Sequence, residues 1–232
     1  MSTYGELVYM VLDEIKGMSD DFTFNEDHVV FLLDKYRSFL LKQRYADIKK
    51  FISESNYQTI ELDLIQVPAI SGDSSFGTYL RSSEKIPFII NIGNPRVYPL
   101  DYYQGEITYI SRDRMRYVGN NKYLKNIIYC STGPDNYLYF KSANPQYLYL
   151  EKVKFTAVFQ DPKSVLDPNN TGNIMSEVFP IEEAFIPPLI ELVVKELLGA
   201  AYRPKDDRNN SNDDLDGMSL KAARQISPNQ SK

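Results

Sequence analysis

The chain holds a single cysteine, Cys130, and a single histidine, His28, among its 232 residues. One thiol cannot close an internal disulfide, which fits a reducing compartment. One of each also excludes a zinc site, because that needs Cys and His in clusters. There is no glycine-rich phosphate loop ending in Lys-Ser/Thr, no G-x-G-x-x-G after a strand and no G-x-S-x-G elbow. No window approaches the roughly eighteen uncharged apolar residues of a membrane span, so no membrane partner is expected. Ser2 to Met18 mixes acidic with apolar residues and lacks a basic leader, unlike a secretory signal. The expectation is a soluble chain made in a cytoplasm. An excess of basic charge is also missing: 26 Lys and Arg stand against 31 Asp and Glu, a net charge of −5. That argues against a dedicated nucleic-acid binder, which shows a basic face. It leaves open a wall past which DNA slides, where phosphate contacts would create unwanted affinity.

The few groups left for catalysis have plainer readings. Cys130 closes the apolar run Ile127-Ile128-Tyr129-Cys130, where a buried small hydrophobe is the ordinary outcome. As a nucleophile it would need His28, about a hundred positions away, as its base. Asp20/Asp21, Glu26/Asp27 and Glu182/Glu183 are adjacent pairs, whereas acid–base work needs two carboxyls in different environments across a cleft. Adjacent carboxylates at helix starts answer to the helix dipole. Asp213, Asp214 and Asp216 lack the closing Glu of a calcium loop. His28 is expected as a surface or interface side chain. No catalytic residue, metal or cofactor is assigned, and the chain is expected not to be an enzyme.

What is present is a core-forming chain: 43% of its residues are hydrophobic and 13% aromatic. Tyr4, Leu7, Val8, Val11, Leu12 and Ile15 recur at helical spacing, and Gly17 offers a stop. Asn25 reads as the N-cap of a second helix, with Glu26 and Asp27 in its first turn. Phe24 and Val29 are placed to form a hydrophobic staple. Val29, Leu32, Leu33, Tyr36 and Leu40 make its buried face, and a third, shorter helical stretch is expected over Ala46 to Ser53. From Thr59 to Ile65 the period changes to the alternation of a half-buried strand. Ile86 to Ile90 reads as a strand start with Pro87 at an edge. A strand at Ile107 and Tyr109 should pass into a polar turn or short helix around Ser111 to Arg116. Ile127 to Ser131 and Tyr137 to Lys141 read as a strand pair joined by a loop of hairpin length, Thr132 to Asn136. A further pair partner is expected from Tyr147 to Phe159, followed by a Pro/Asn loop from Asp161 to Gly172. A late helix begins near Pro187 or Pro188 and ends near Gly199. The class is therefore α+β: an N-terminal helical hairpin, a small, mostly antiparallel sheet, a late helix and an extended polar arm. The expected division is one domain over 1–202 and an arm over 203–232 that orders on a partner.

Two features point to interaction. Arg112, Arg114, Arg116, Lys122 and Lys125 are interleaved with Tyr117 and Tyr123. This group suits contact with phosphate or with an acidic partner, and it equally suits a solvated turn. Eleven of the eighteen tyrosines lie between Tyr98 and Tyr149. Tyrosine serves interfaces because a large rigid ring ends in a hydroxyl that finds a partner, and it serves ordinary sheet packing too. In the polar tail Tyr202, Arg203, Leu215, Leu220 and Ile226 are the candidate arm contacts, and Ser219 to Ile226 is weakly amphipathic.

The phrases Thr23-Phe-Asn-Glu-Asp-His28, Phe31-Leu-Leu-Asp-Lys-Tyr-Arg37, Ile60-Glu-Leu-Asp-Leu64, Leu80-Arg-Ser-Ser83 and Ile86-Pro87, with the helix from Pro188 to Leu198 and its polar tail, carry a resemblance. Over roughly residues 1 to 200 the layout resembles virion structural proteins of crAss-like bacteriophages, which infect gut Bacteroidota. Within that group it is most similar to a ring protein of the head-to-tail connector, the adaptor beneath the portal. The resemblance implies a closed homo-oligomeric ring of about twelve subunits with heterologous contacts. It implies the portal, other connector or tail proteins and non-specific packaged DNA in the lumen as partners, in a virion assembled in the bacterial host. It brings no catalytic residues. The alternatives are another tail or capsid-associated virion part and, further off, an enzyme of unfamiliar type.

Overall fold

A computed structural model describes residues 2–18, 25–46, 51–67, 79–100, 106–115, 117–118, 122–124, 126–142, 149–166 and 173–201. The chain divides into two compact units, Met1–Val193 and Val194–Lys232. The fold is α+β, and the first unit holds its sheet and first four helices.

Helix α1 spans Tyr4–Met18 and buries Tyr4, Leu7, Val8, Val11 and Ile15 of the predicted stripe, with Leu12 half-buried at its edge. It runs past Gly17 to Met18. A capping box starts it: the Glu6 amide donates to Thr3 Oγ1 at 3.2 Å, and the Thr3 amide donates to Glu6 Oε2 at 3.0 Å. Helix α2 spans Glu26–Arg44, and Asn25 caps it by accepting the Asp27 amide at 3.1 Å. The staple expected between Phe24 and Val29 involves a residue outside the described set. Tyr45 ends α2 by donating its amide to the Leu41 carbonyl. Residues Phe51 to Ser53 are irregular and lead into a 3-10 turn at Glu54–Asn56, so over its described residues the expected third helix does not form.

Among the described residues seven strands make one sheet: β1 (Gln58–Val67), β2 (Tyr79–Ser82), β3 (Arg96–Pro99), β4 (Glu106–Tyr109), β5 (Ile127–Thr132), β6 (Leu138–Lys141) and β7 (Lys152–Ala157). Their order is β3-β7-β1-β2-β6-β5-β4, with β4 and β5 parallel and every other pair antiparallel. The predicted β5–β6 hairpin forms, and Asn136 takes a left-handed conformation in its loop (φ 63°), which asparagine tolerates. The expected partner strand after Tyr147 pairs elsewhere. As β7 it lies between β1 and β3 rather than against the hairpin, a non-local choice that local alternation cannot reveal. Ile86 to Ile90 forms no strand; only Ile89 bridges Phe159, since Pro87 brings no ladder donor.

The two ends of the strand order approach one another, β3 lying against β4, so the sheet curls towards a barrel. Its interior is filled by Leu62, Ile128, Leu138, Phe140, Val153 and Phe155, among others, and Tyr109 from β4 meets Phe155 from β7 across it. Cys130 is buried there, and burial pushes its thiol well up, so it is an inert core residue. On the outer face β1 and β7 match polar rungs: Thr59 with Thr156 (2.8 Å), Glu61 with Lys154 (3.3 Å) and Asp63 with Lys152 (3.0 Å). Such exposed pairs add little stability but penalise a register slip.

Gly93 turns the chain towards β3 at φ +67°, and a Cβ there would lie 2.6 Å from Ile52 Cδ1. Helix α3 is the single turn Arg112–Met115, and α4 is the single turn Lys163–Leu166, inside the expected loop. A 3-10 turn at Glu183–Phe185 leads into α5, Ile186–Ala201, which carries Pro187 and Pro188 in its first turn as expected. Within the first unit α5 buries Leu189 and Val193. The second unit's described residues are the last turns of α5.

Candidate assembly surfaces

The surfaces of the first unit are positioned by one buried cation. Arg37, on α2, is fully buried and spends its guanidinium on three backbone carbonyls: Pro180 (2.7 Å), Phe159 (2.8 Å) and Asn56 (3.1 Å). Ser38 beside it donates to the Gln160 carbonyl at 2.6 Å, and Asn56 Oδ1 accepts the Glu182 amide at 3.2 Å. Three segments of chain are thereby locked to α2: the 3-10 turn before β1, the segment leaving β7, and the run before α5. The rigid fork of arginine suits this task, since its five donors point in fixed directions. Asp34, one turn earlier on the same face, accepts the Tyr4 hydroxyl at 2.9 Å and so ties α1 to α2. Burial pushes the Asp34 carboxyl up to about 7, against the opposing pull of that hydrogen bond and of Arg37. The same burial raises the Tyr4 hydroxyl, which stays protonated. Arg37 and Asp34 fell outside the sequence-based site residues. The available signal was helical phase: Arg37 stands four residues from Leu33 and Leu41, both buried.

The basic group is placed in part. Arg112 and Arg114 are exposed on α3, whose Met115 is buried as its anchor. Lys122 opens a 3-10 turn, Lys122–Leu124, while Arg116 and Lys125 lie outside the described residues. Tyr117 and Tyr123 are both largely exposed, so the aromatic side chains between these cations face solvent. Arg114 also borders an open groove of about 980 Å³ with Phe88, Ile90 and Tyr109 in its walls. The tyrosine-rich middle divides between its two readings: Tyr129 is buried in the sheet, whereas Tyr98, Tyr117, Tyr123 and Tyr149 are exposed. Tyr202, Arg203, Leu215, Leu220 and Ile226 lie outside the described residues.

Other exposed apolar side chains were not singled out from sequence. Tyr9 and Met10 project from α1, Phe31 and Phe39 from α2, and Phe51 is 99% exposed beside a groove of about 700 Å³ walled by Tyr45, Ile52, Phe185 and Pro188. Phe31 and Phe39 were legible by subtraction, because the predicted buried face of α2 left them on the other side. His28 is exposed and stacks on Phe31, with ring centroids 6.4 Å apart and planes 17° from parallel. Among the described residues no group of three His, Cys, Asp or Glu side chains is arranged to hold a metal ion. Nor is any described helix long and apolar enough to cross a membrane.

Comparison with known proteins agrees with a surface built for assembly. A family model described as phage tail ring protein 2 matches residues 6–215. A curated relative, Ring protein 2 of Bacteroides phage crAss001, is 64% identical over 220 residues, which cover 92% of this chain and 98% of that protein.

Proposed function

The chain belongs to the phage tail ring protein 2 family, and on that premise we propose that it forms a closed ring of about twelve subunits in the head-to-tail connector. As a ring protein it is a structural part of the virion that assembles with copies of itself and with other virion proteins. In the proposed arrangement the ring lies beneath the portal, continues the DNA channel and bridges portal and tail. The observation that carries this reading is the spread of large exposed apolar side chains over elements that are otherwise well packed. A monomer has no use for Tyr9, Phe31, Phe39 and Phe51 in water, whereas a subunit flanked by copies and capped by other rings covers them. The net charge of −5 suits a channel wall that DNA must pass without sticking. Arg112 and Arg114 then serve an acidic partner protein or the phosphates, as one local cationic patch.

The test is stoichiometry in purified virions, by quantitative mass spectrometry against the major capsid protein. The expected value is about a dozen copies per particle, one closed ring. Hundreds of copies would place the chain in the capsid and overturn the connector reading. We further propose that residues 203–232 form an arm laid on a neighbouring subunit or the next ring, a role that their composition suits because it cannot build a core of its own. A chain ending at Tyr202 is expected to fold but to fail in joining portal to tail; normal joining would remove the arm from the account.

A further inference from the structure

The open groove bordered by Arg114 lies where the end of β4 meets the approach to β3. Phe88, Ile90 and Ile110 are its apolar part, and Asn91, Asn94 and Asn136 bring amides to it. Two of its wall stretches also carry backbone groups without a ladder partner. Ile110 donates its amide to the Cys130 carbonyl, so by strand alternation the N–H and C=O of Tyr109 point away from β5. Ile90 donates to the Val158 carbonyl and Phe88 accepts from Gln160. The N–H and C=O of Ile89 therefore point away from that segment. Neither Tyr109 nor Ile89 makes a backbone hydrogen bond on its open side among the described residues. Pro95, also in the groove wall, has no N–H with which to close the ladder. An edge of this kind takes an extended segment as an added strand.

Charge sets the character of that segment. Among the described residues that line the groove Arg114 alone is charged, and it makes no ion pair with any described residue. Asp113, its neighbour on α3, is exposed but stands outside the groove wall. The fitting occupant is extended, carries carboxylates and has an apolar side chain for Phe88 and Ile90. The chain itself holds such a run at residues 212–217, Asn-Asp-Asp-Leu-Asp-Gly, where Leu215 is the one large apolar residue between Tyr202 and Met218. Leu215 follows the end of α5 at Ala201 by fourteen residues, a reach of about 45 Å when extended. A domain of the first unit's length has a radius of gyration of roughly 16 Å, so that reach extends to a neighbouring copy. Asn and Asp are poor strand formers by themselves, which leaves a ready-made edge to supply the extended conformation.

We propose that the groove takes residues 212–217 of a neighbouring copy as an added strand, with Leu215 on the apolar wall and a carboxylate at Arg114. The proposal rests on the arm reading above and names the place where the arm docks.

Cross-linking between two full-length chains tests it. One chain carries Asn91→Cys, in the exposed part of the groove wall, and the other carries Gly217→Cys, which leaves Leu215 in place. Cys130 is buried and does not compete. The two chains are mixed with the portal, oxidised mildly and read by mass spectrometry for a disulfide joining positions 91 and 217. Because each chain brings one new thiol, this link forms only between copies. A Phe51→Cys chain is the control, since that side chain is fully exposed beside a different groove. The link is expected to exceed the control clearly. It is expected to fall about tenfold when Arg114→Glu joins the Asn91→Cys chain, or when Leu215→Asp joins the Gly217→Cys chain. Circular dichroism melts confirm that the variants fold. A yield no higher than the control overturns the proposal, and so does a yield that either added substitution leaves unchanged. Truncation at Tyr202 separates the two readings. Failed joining of portal and tail without the 91–217 link overturns this site alone, whereas normal joining removes the arm and this site with it.

Discussion

Replacing Arg37 by methionine is expected to lower the unfolding free energy by about 3–5 kcal/mol, measured as a shift of the urea midpoint at constant slope. Methionine keeps the apolar stem, so the loss isolates the guanidinium. The carbonyls of Asn56, Phe159 and Pro180 would remain buried without the donors that now satisfy them. Each such orphan costs roughly 1–3 kcal/mol, offset in part by removal of a desolvated charge. Lysine at the same position is expected to recover only a minor part. Its ammonium retains the charge but lacks the planar fork that serves three diverging carbonyls. A loss below about 1 kcal/mol for methionine would mean that apolar packing alone holds α2 to the sheet.

The second large effect concerns pH. Burial pushes the Asp34 carboxyl up to about 7, with the Tyr4 hydroxyl and Arg37 pulling the other way and the Asp161 carboxylate adding to the rise. The folded state therefore holds this proton more tightly than the unfolded chain does. Its contribution to stability is fully present below about pH 4 and is lost as pH rises through about 7. Each tenfold difference in proton affinity is worth about 1.4 kcal/mol, so the swing between pH 4 and 8 is on the order of 2–4 kcal/mol. Asp34→Asn keeps an oxygen to accept the Tyr4 hydroxyl and removes the titration. It is expected to be the more stable form at pH 8, with the advantage shrinking towards pH 4. Parallel stability curves for the two chains across that range would show that Asp34 is ionised in the fold at ordinary cost.

Much of this architecture was legible from local pattern. The stripe on α1, the Asn25 cap of α2, the alternation in β1, the β5–β6 hairpin and the proline start of α5 all follow from residue type and spacing. What was not legible depends on distant partners. β7 alternates equally well whether it pairs with β6 or inserts between β1 and β3, and only the closed interior around Phe155 decides. Ile86 to Ile90 is apolar enough for a strand, but Pro87 leaves it a single bridge to Phe159. Arg37 reads as a surface charge until its three carbonyls, from positions 56, 159 and 180, are brought around it. The candidate surfaces divide in the same way. The cations at Arg112 and Arg114 were visible as a cluster, whereas Phe31 and Phe39 were legible only by subtraction, as apolar residues that the predicted buried face of α2 leaves over. The family resemblance was carried by phrases within residues 1 to 200, and the match to phage tail ring protein 2 extends through residue 215.

The proposed role of this chain is that of a closed ring seated on the portal. The most direct measurement is the mass of the purified protein in solution, alone and mixed with the portal protein of the same virion. A discrete species of about twelve subunits is expected, formed either by the chain alone or once the portal is added. A chain that stays monomeric and indifferent to the portal would contradict it.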